Sequence, residues 1–181
     1  MTKSAYIHIP FCKQKCKYCS FISFTNSSGI ESYINALLKD INYHYKQEKL
    51  NTLYFGGGTP SLIEAQYYKQ IINSLNLSTN CEISFEINPD DARKDYLKAL
   101  YDVGINRLSI GAQTFNDDVL NLIGRRHNSM QIKKAVELTK DIGLVVFPIS
   151  KSFGTLIMKV TMNWLMQLCF VFKRMNACAQ M

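Results

Sequence analysis

The sequence predicts an α/β chain: a parallel sheet with crossover helices that amounts to part of a (β/α) barrel. Three observations carry this expectation. Short β-type runs alternate with longer segments of helical period, and Gly, Pro or Asn punctuates their ends. The cycle repeats about four to five times, whereas a complete barrel of this kind takes ~250 residues. The third is that 47% of the 181 residues are hydrophobic, enough to supply a core.

Each element has its own justification. Tyr6-Ile7-His8-Ile9 reads as the first strand, stopped by Pro10. A helix over residues 31–45 carries Ile34, Leu37, Leu38, Ile41 and Tyr45 on one stripe. Thr52-Leu53-Tyr54-Phe55 is the second strand, and Gly56-Gly57-Gly58 ends it. Ala65, Tyr68, Ile72 and Leu75 mark the next helix, after which residues 82–87 alternate as a third strand ended by Asn88-Pro89. A helix over residues 92–102 is stopped by Gly104. Residues 107–110 form the fourth strand; Asn116 then offers an N-cap, Asp117 and Asp118 suit the first helical turn, and Gly124 suits its end. The last helix, residues 130–141, leads through Gly143 into a weaker fifth strand at residues 144–147.

Charge and composition divide the chain at that glycine. The net charge of +7 raises the question of nucleic acid or anionic membrane, but all 14 acids precede residue 142. Lys151, Lys159, Lys173 and Arg174 follow it, so the basicity belongs mainly to the tail. No interleaving of basic and aromatic residues argues for nucleic acid. The tail also holds most of the methionines and the single Trp. Residues 154–172 approach the ~20 apolar residues of a membrane span, yet Lys159, Asn163 and Gln167 interrupt them, which weighs against one. The expected organisation is therefore a core over residues 1–143 and a divergent tail over 144–181, read as the product of a shifted frame. No export signal is visible at the start, so a reducing cytoplasm is expected, where clustered cysteines are ligands or nucleophiles before they are disulfides.

Cys12, Cys16 and Cys19 converge on one short loop directly after the first strand. Three thiolates on a four-iron cubane leave one iron without a protein ligand, which suits a substrate-binding cluster better than an electron carrier. Lys13, Lys15 and Lys17 offset the anionic charge of such a cluster. The same spacing also admits zinc, with His8 closing a tetrahedral shell. Gly56, Gly57 and Gly58 at a strand end let backbone groups approach a ligand, and they are not a phosphate-binding loop because no Gly-Lys-Ser/Thr follows. Ile83, Phe85 and Ile87 share one strand face, so Glu86 points the other way, where the bland reading is a solvated strand acid. Tyr6 and His8 share a face of the first strand, so either reads as core packing. Arg125, just beyond a helix, reads from its position as a charge partner for the helix end.

The Cys-x3-Cys-x2-Cys pattern with Tyr18 before the last cysteine resembles the signature of the radical S-adenosylmethionine (SAM) superfamily. Five further runs narrow the likeness: Tyr6-Ile-His-Ile-Pro-Phe-Cys12, Tyr54-Phe-Gly-Gly-Gly-Thr-Pro-Ser61, Phe85-Glu-Ile-Asn-Pro89, Asn106-Arg-Leu-Ser-Ile-Gly-Ala-Gln-Thr-Phe115 and Gly124-Arg-Arg-His127. In that order they resemble the oxygen-independent coproporphyrinogen III oxidase family and its sister branch, the heme chaperones, over residues 5–143. The resemblance implies a partial TIM-like radical-SAM barrel. It implies a [4Fe–4S] cluster on Cys12, Cys16 and Cys19 whose open iron chelates SAM, one electron then cleaving SAM to methionine and a 5′-deoxyadenosyl radical. It assigns cofactor or substrate contacts to Tyr6, Tyr18, Gly57, Gly58, Thr59, Glu86, Gln113 and Arg125, and adds heme or porphyrin as a ligand and heme-receiving proteins as partners.

Two departures matter. Phe21 occupies the position where the oxidase branch carries a fourth cysteine, and eleven residues precede Cys12 where the oxidase has a long arm, so the heme-chaperone branch is expected. Val145-Val-Phe-Pro-Ile-Ser150 also supplies no Asp where the family has a run resembling Asp-Leu-Ile-Tyr-Gly-Leu-Pro. The competing readings are the oxidase, which decarboxylates the propionates of coproporphyrinogen III, a zinc- or cluster-binding module without catalysis, and an inactive truncated product.

Overall fold

The computed structural model describes residues 3–148. Strand β1 (Ser4–Ile9) is followed by helix α1 (Ile30–His44), β2 (Leu50–Gly57), a 3-10 turn (Pro60–Leu62) and α2 (Ala65–Asn73). Then come β3 (Leu77–Ile87), a second 3-10 turn (Pro89–Asp91), α3 (Lys94–Asp102), β4 (Arg107–Ile110), α4 (Asp117–Leu122), α5 (Ser129–Ile142) and β5 (Val145–Pro148). The five strands form one parallel sheet in the order β1-β2-β3-β4-β5. Sequential order with helical crossovers is the arrangement of a (β/α) barrel wall, and five units make part of one.

The two-residue period of each strand gives the sheet two different faces. Ile7, Ile9, Leu53, Phe55, Ile83, Phe85, Ile87, Leu108 and Ile110 are all buried in one cluster with Ile34 and Leu37 of α1, Tyr68 and Ile71 of α2, Leu97 and Leu100 of α3 and Ala135 of α5. Tyr68 anchors this layer, its ring centroid 4.9 Å from those of both Phe55 and Phe85 in edge-on contact. The opposite face is polar. Register sets Tyr6 beside Tyr54, Tyr54 beside Ser84, His8 beside Gly56 and Glu86 beside Ser109. That face lines the inside of the wall, and its chemistry collects toward the strands' carboxyl ends.

The predicted elements all form, most of them with shifted ends. β3 has 11 residues where alternation marked only its second half, because Ser78, Thr79 and Asn80 hide the period. α3 begins at Lys94 instead of 92, since Pro89 starts a 3-10 turn that occupies Pro89–Asp91. Asn116 accepts from Val119 N, as its sequence position predicted. α5 carries a full capping box between Asn128 and Gln131 and ends on Gly143 at φ 88°, the left-handed conformation that glycine adopts freely. The fifth strand lies just past the glycine at which composition changed, paired to β4 from Val145 to Pro148. The span over residues 154–172 and the remaining tail lie outside the described residues.

Candidate functional site

The loops that follow β1, β2, β3 and β4 at the carboxyl end of the sheet contribute to one polar cluster. The loop after β1 carries the three cysteines and is fixed at several points. Cys12 N donates to Phe24 O (2.9 Å), Phe24 N to Pro10 O (2.7 Å), and Cys19 N to Cys16 O (3.1 Å). On its far side Lys17 N donates to Ile123 O (3.2 Å) and Gln14 Nε2 to Gly124 O (2.9 Å). Cys12 is buried, while Cys16 and Cys19 are partly exposed.

The glycines after β2 have to be glycines. A Cβ on Gly58 would lie 2.7 Å from Phe11 O and 3.0 Å from Cys12 Sγ. Gly57, at φ 123°, would carry one 2.7 Å from His8 Nδ1. Thr59 follows, buried, with Oγ1 donating toward Cys12 Sγ at 3.5 Å. The β2 loop and the cysteine loop are therefore in backbone contact.

Glu86 leaves β3 on the polar face, where it accepts from Tyr54 Oη (2.8 Å) and Gly57 N (3.2 Å). Burial pushes its carboxyl above the ordinary value, opposed in part by those two bonds. Tyr6 stacks on Tyr54 with centroids 5.9 Å apart and bonds His8 Nδ1 at 3.1 Å. Burial first, then the nearby Glu86 charge, holds Tyr6 firmly in its neutral form. His8 meets Ile22 O through Nε2 at 3.3 Å, and burial lowers its pKa.

Arg125 joins the remaining loops. Its Nη1 donates toward Cys16 Sγ (3.5 Å) and Tyr18 Oη (3.3 Å), and its Nη2 donates to Asn88 Oδ1 (2.7 Å) and Gly111 O (2.8 Å). It is not a helix-end charge partner. Burial is the main reason that the Tyr18 phenol is pushed up to about 12. Four buried side-chain polar atoms among the described residues have no hydrogen-bond partner: Ser23 Oγ, Asp90 Oδ1, Gln113 Oε1 and Arg125 Nε. Gln113 also sits at φ 66°, an uncommon conformation for a side-chain-bearing residue. Orphaned polar atoms of this kind fit a polar ligand bound among these loops.

The site residues read from the sequence thus lie at the carboxyl end of the sheet, except Tyr6, which sits midway along β1 on the same polar face. Two contributors escaped that reading. Asn88 bridges Arg125 Nη2 and Thr59 Oγ1 (3.4 Å); it stands inside the Phe85–Pro89 run but was assigned no role. Asp91 is buried and accepts from Lys13 Nζ at 2.7 Å. Lys13 is consequently held in an ion pair, not free beside the cysteines in a solvated loop. Among the described residues no three His, Cys, Asp or Glu side chains gather closely enough to form the shell of a single metal ion.

A parallel barrel wall with three clustered cysteines at its carboxyl end, glycines against the first of them and an arginine against the second defines a class of protein. Residues 6–170 match the radical SAM superfamily, and the chain belongs to it. That membership implies a [4Fe–4S] cluster and SAM. Within the superfamily its similarity runs to the heme-chaperone branch of the oxygen-independent coproporphyrinogen III oxidase-like proteins. It is 40% identical over 161 residues to the heme chaperone HemW of Bacillus subtilis (strain 168), covering 84% of this chain and 42% of that protein. The oxygen-independent coproporphyrinogen III oxidase of Paracoccus denitrificans (strain Pd 1222) is 30% identical over 151 residues, covering 78% of this chain and 34% of that one. Among solved structures, coproporphyrinogen III oxidase (HemN) from Escherichia coli, described as a radical SAM enzyme, superposes with a TM-score of 0.73 at 26% identity, over 88% of this chain and 41% of the other. The chain spans between about a third and two fifths of the length of these relatives. No helix among the described residues is long and apolar enough to cross a membrane.

Proposed function

We propose that this chain carries a [4Fe–4S] cluster on Cys12, Cys16 and Cys19, binds SAM beside it, and acts in heme metabolism in the manner of a heme chaperone. The observation that carries the reading is the meeting of four loops around the cysteines: Gly58 packs on Cys12, Thr59 donates toward its Sγ, and Arg125 reaches both Cys16 Sγ and Gly111 O. When bound, the cluster supplies the electron that cleaves SAM.

The protein's own residues have distinct tasks in this reading. Gly57 and Gly58 keep the β2 edge free of side chains so that backbone groups can meet SAM. Glu86, with Tyr54 and Gly57 N holding it in one orientation, offers its carboxylate to the cationic amino end of the ligand. Gln113 and Arg125 direct buried, unpartnered polar atoms to the same ligand, and Arg125 adds positive charge against its carboxylate. Tyr18 is steadied by Arg125, and Tyr6 remains a neutral donor beside cofactor or substrate.

Heme as ligand, heme-receiving proteins as partners and a cytoplasmic location belong to this proposal, supported by the likeness to heme chaperones. Phe21, where the oxidase branch carries a fourth cysteine, favours chaperone over oxidase. Anaerobically reconstituted protein should bind hemin, seen as a shifted and saturating Soret band, and should give no protoporphyrinogen IX from coproporphyrinogen III with SAM and reductant. Vinyl product would establish the oxidase instead, and an unshifted Soret band would remove the heme role.

A further inference from the structure

Asp91 is the least exposed acid among the described residues, at 1% exposure. A buried carboxylate is costly unless it is paired and hydrogen-bonded. Its partners are Lys13 Nζ at 2.7 Å on Oδ1, with Ser61 Oγ at 2.8 Å and Arg126 Nη2 at 3.4 Å on Oδ2. Lys13 belongs to the cysteine loop, Ser61 to the turn after β2, and Arg126 to the segment leading into α5. None of these contacts is a local cap, and α3, which begins three residues later, receives no side-chain cap. Arg126 is itself steadied by Asp90 at 2.8 Å.

We infer that Asp91 is a positioning residue for the cluster, a buried anchor that ties the cysteine loop to two neighbouring loops through Lys13, Ser61 and Arg126. Lys13 directly follows Cys12 in the chain, so fixing its ammonium restrains the backbone that aims Cys12 Sγ. Ser61 lies two residues beyond Thr59, the residue donating toward that same sulfur. One carboxylate thereby sets the relative position of both segments that meet Cys12. This inference rests on the reading of Cys12, Cys16 and Cys19 as cluster ligands, and outer partners that orient metal ligands have a measurable effect on retention of the metal.

The test uses the full chain as Asp91→Asn, Lys13→Met, Ser61→Ala and the Lys13→Met/Asp91→Asn double variant. In the metal-free protein, iodoacetamide should alkylate Cys12 several-fold faster in Asp91→Asn and Lys13→Met than in the parent, with Cys81 unchanged as internal reference. In reconstituted protein, iron should pass to a ferrous chelator about tenfold faster, and the change that SAM produces in the reduced-cluster EPR spectrum should broaden. The double variant should be no worse than Asp91→Asn alone, and Lys13→Arg should restore the parent's behaviour. Should Asp91→Asn fold poorly, the half-exposed Lys13 carries the same comparison. Parent-like alkylation and iron release in both Asp91→Asn and Lys13→Met would overturn the anchor. Faster alkylation combined with no iron uptake by the parent would overturn the cluster reading, and the anchor's assigned purpose with it.

Discussion

Glu86 is where single-residue energetics and chemistry meet most closely. Its carboxyl is raised by burial more than the Tyr54 and Gly57 hydrogen bonds lower it. A carboxyl raised in the folded state binds its proton more tightly there than in the unfolded chain. Its contribution to stability is therefore fully present below the unfolded value and is lost as pH rises through the folded one. Glu86→Gln removes that loss but keeps an acceptor for only one of the two neighbours, which bond different carboxylate oxygens, and the cost of the lost bond does not vary with pH. The melting temperature of the variant minus that of the parent should consequently grow from about pH 4 to about pH 7 in the SAM-free protein, while SAM binding weakens. A difference that is the same at both pH values would mean that the Glu86 proton is not coupled to folding. The sequence showed which way Glu86 points, because Ile83, Phe85 and Ile87 occupy the other face. It did not show Asp91 or Asn88 as contributors, because their partners lie in loops distant in the chain: Lys13 is 78 residues from Asp91, and Arg125 is 37 from Asn88.

Elements were legible to the extent that their signals are local. β4 matches its expected bounds, and the Asn116 and Gly143 ends follow from residue types that suit those backbone conformations. The first half of β3 was hidden because its side chains are polar, and its membership of the sheet comes from pairing with β2 at Leu50 and Leu77. The start of α3 was misjudged by two residues because the backbone after Pro89 turns as a 3-10 segment. The cap on α5 was also missed: Asn128 accepts from Gln131 N (2.9 Å), and Gln131 returns a bond to Asn128 N (3.0 Å). Asn128→Ala should cost about 1 kcal/mol in chemical denaturation without altering cluster content, since the cap lies outside the contacts made by Arg125. Loss of iron in that variant would show that α5 and the Arg125 loop are coupled more tightly than this account holds.

At the scale of the whole molecule, one sheet separates two kinds of chemistry. Its apolar face and α1, α2, α3 and α5 form the core, and its polar face with the loops at the carboxyl ends of β1–β4 forms the site. The strand period sets that division, so it could be read from sequence alone, as could the clustering of Cys12, Cys16 and Cys19. The convergence of Gly58, Thr59 and Arg125 on those cysteines required the parallel register. The most direct test of the central claim is anaerobic reconstitution with iron and sulfide, with metal analysis and EPR of the reduced protein before and after SAM. The account predicts about four irons per chain, a spectrum that changes on adding SAM, loss of the cluster in Cys12→Ala, Cys16→Ala and Cys19→Ala, and its retention in Cys81→Ala. A single tightly held zinc with no cluster, or loss of the cluster in Cys81→Ala, would contradict it.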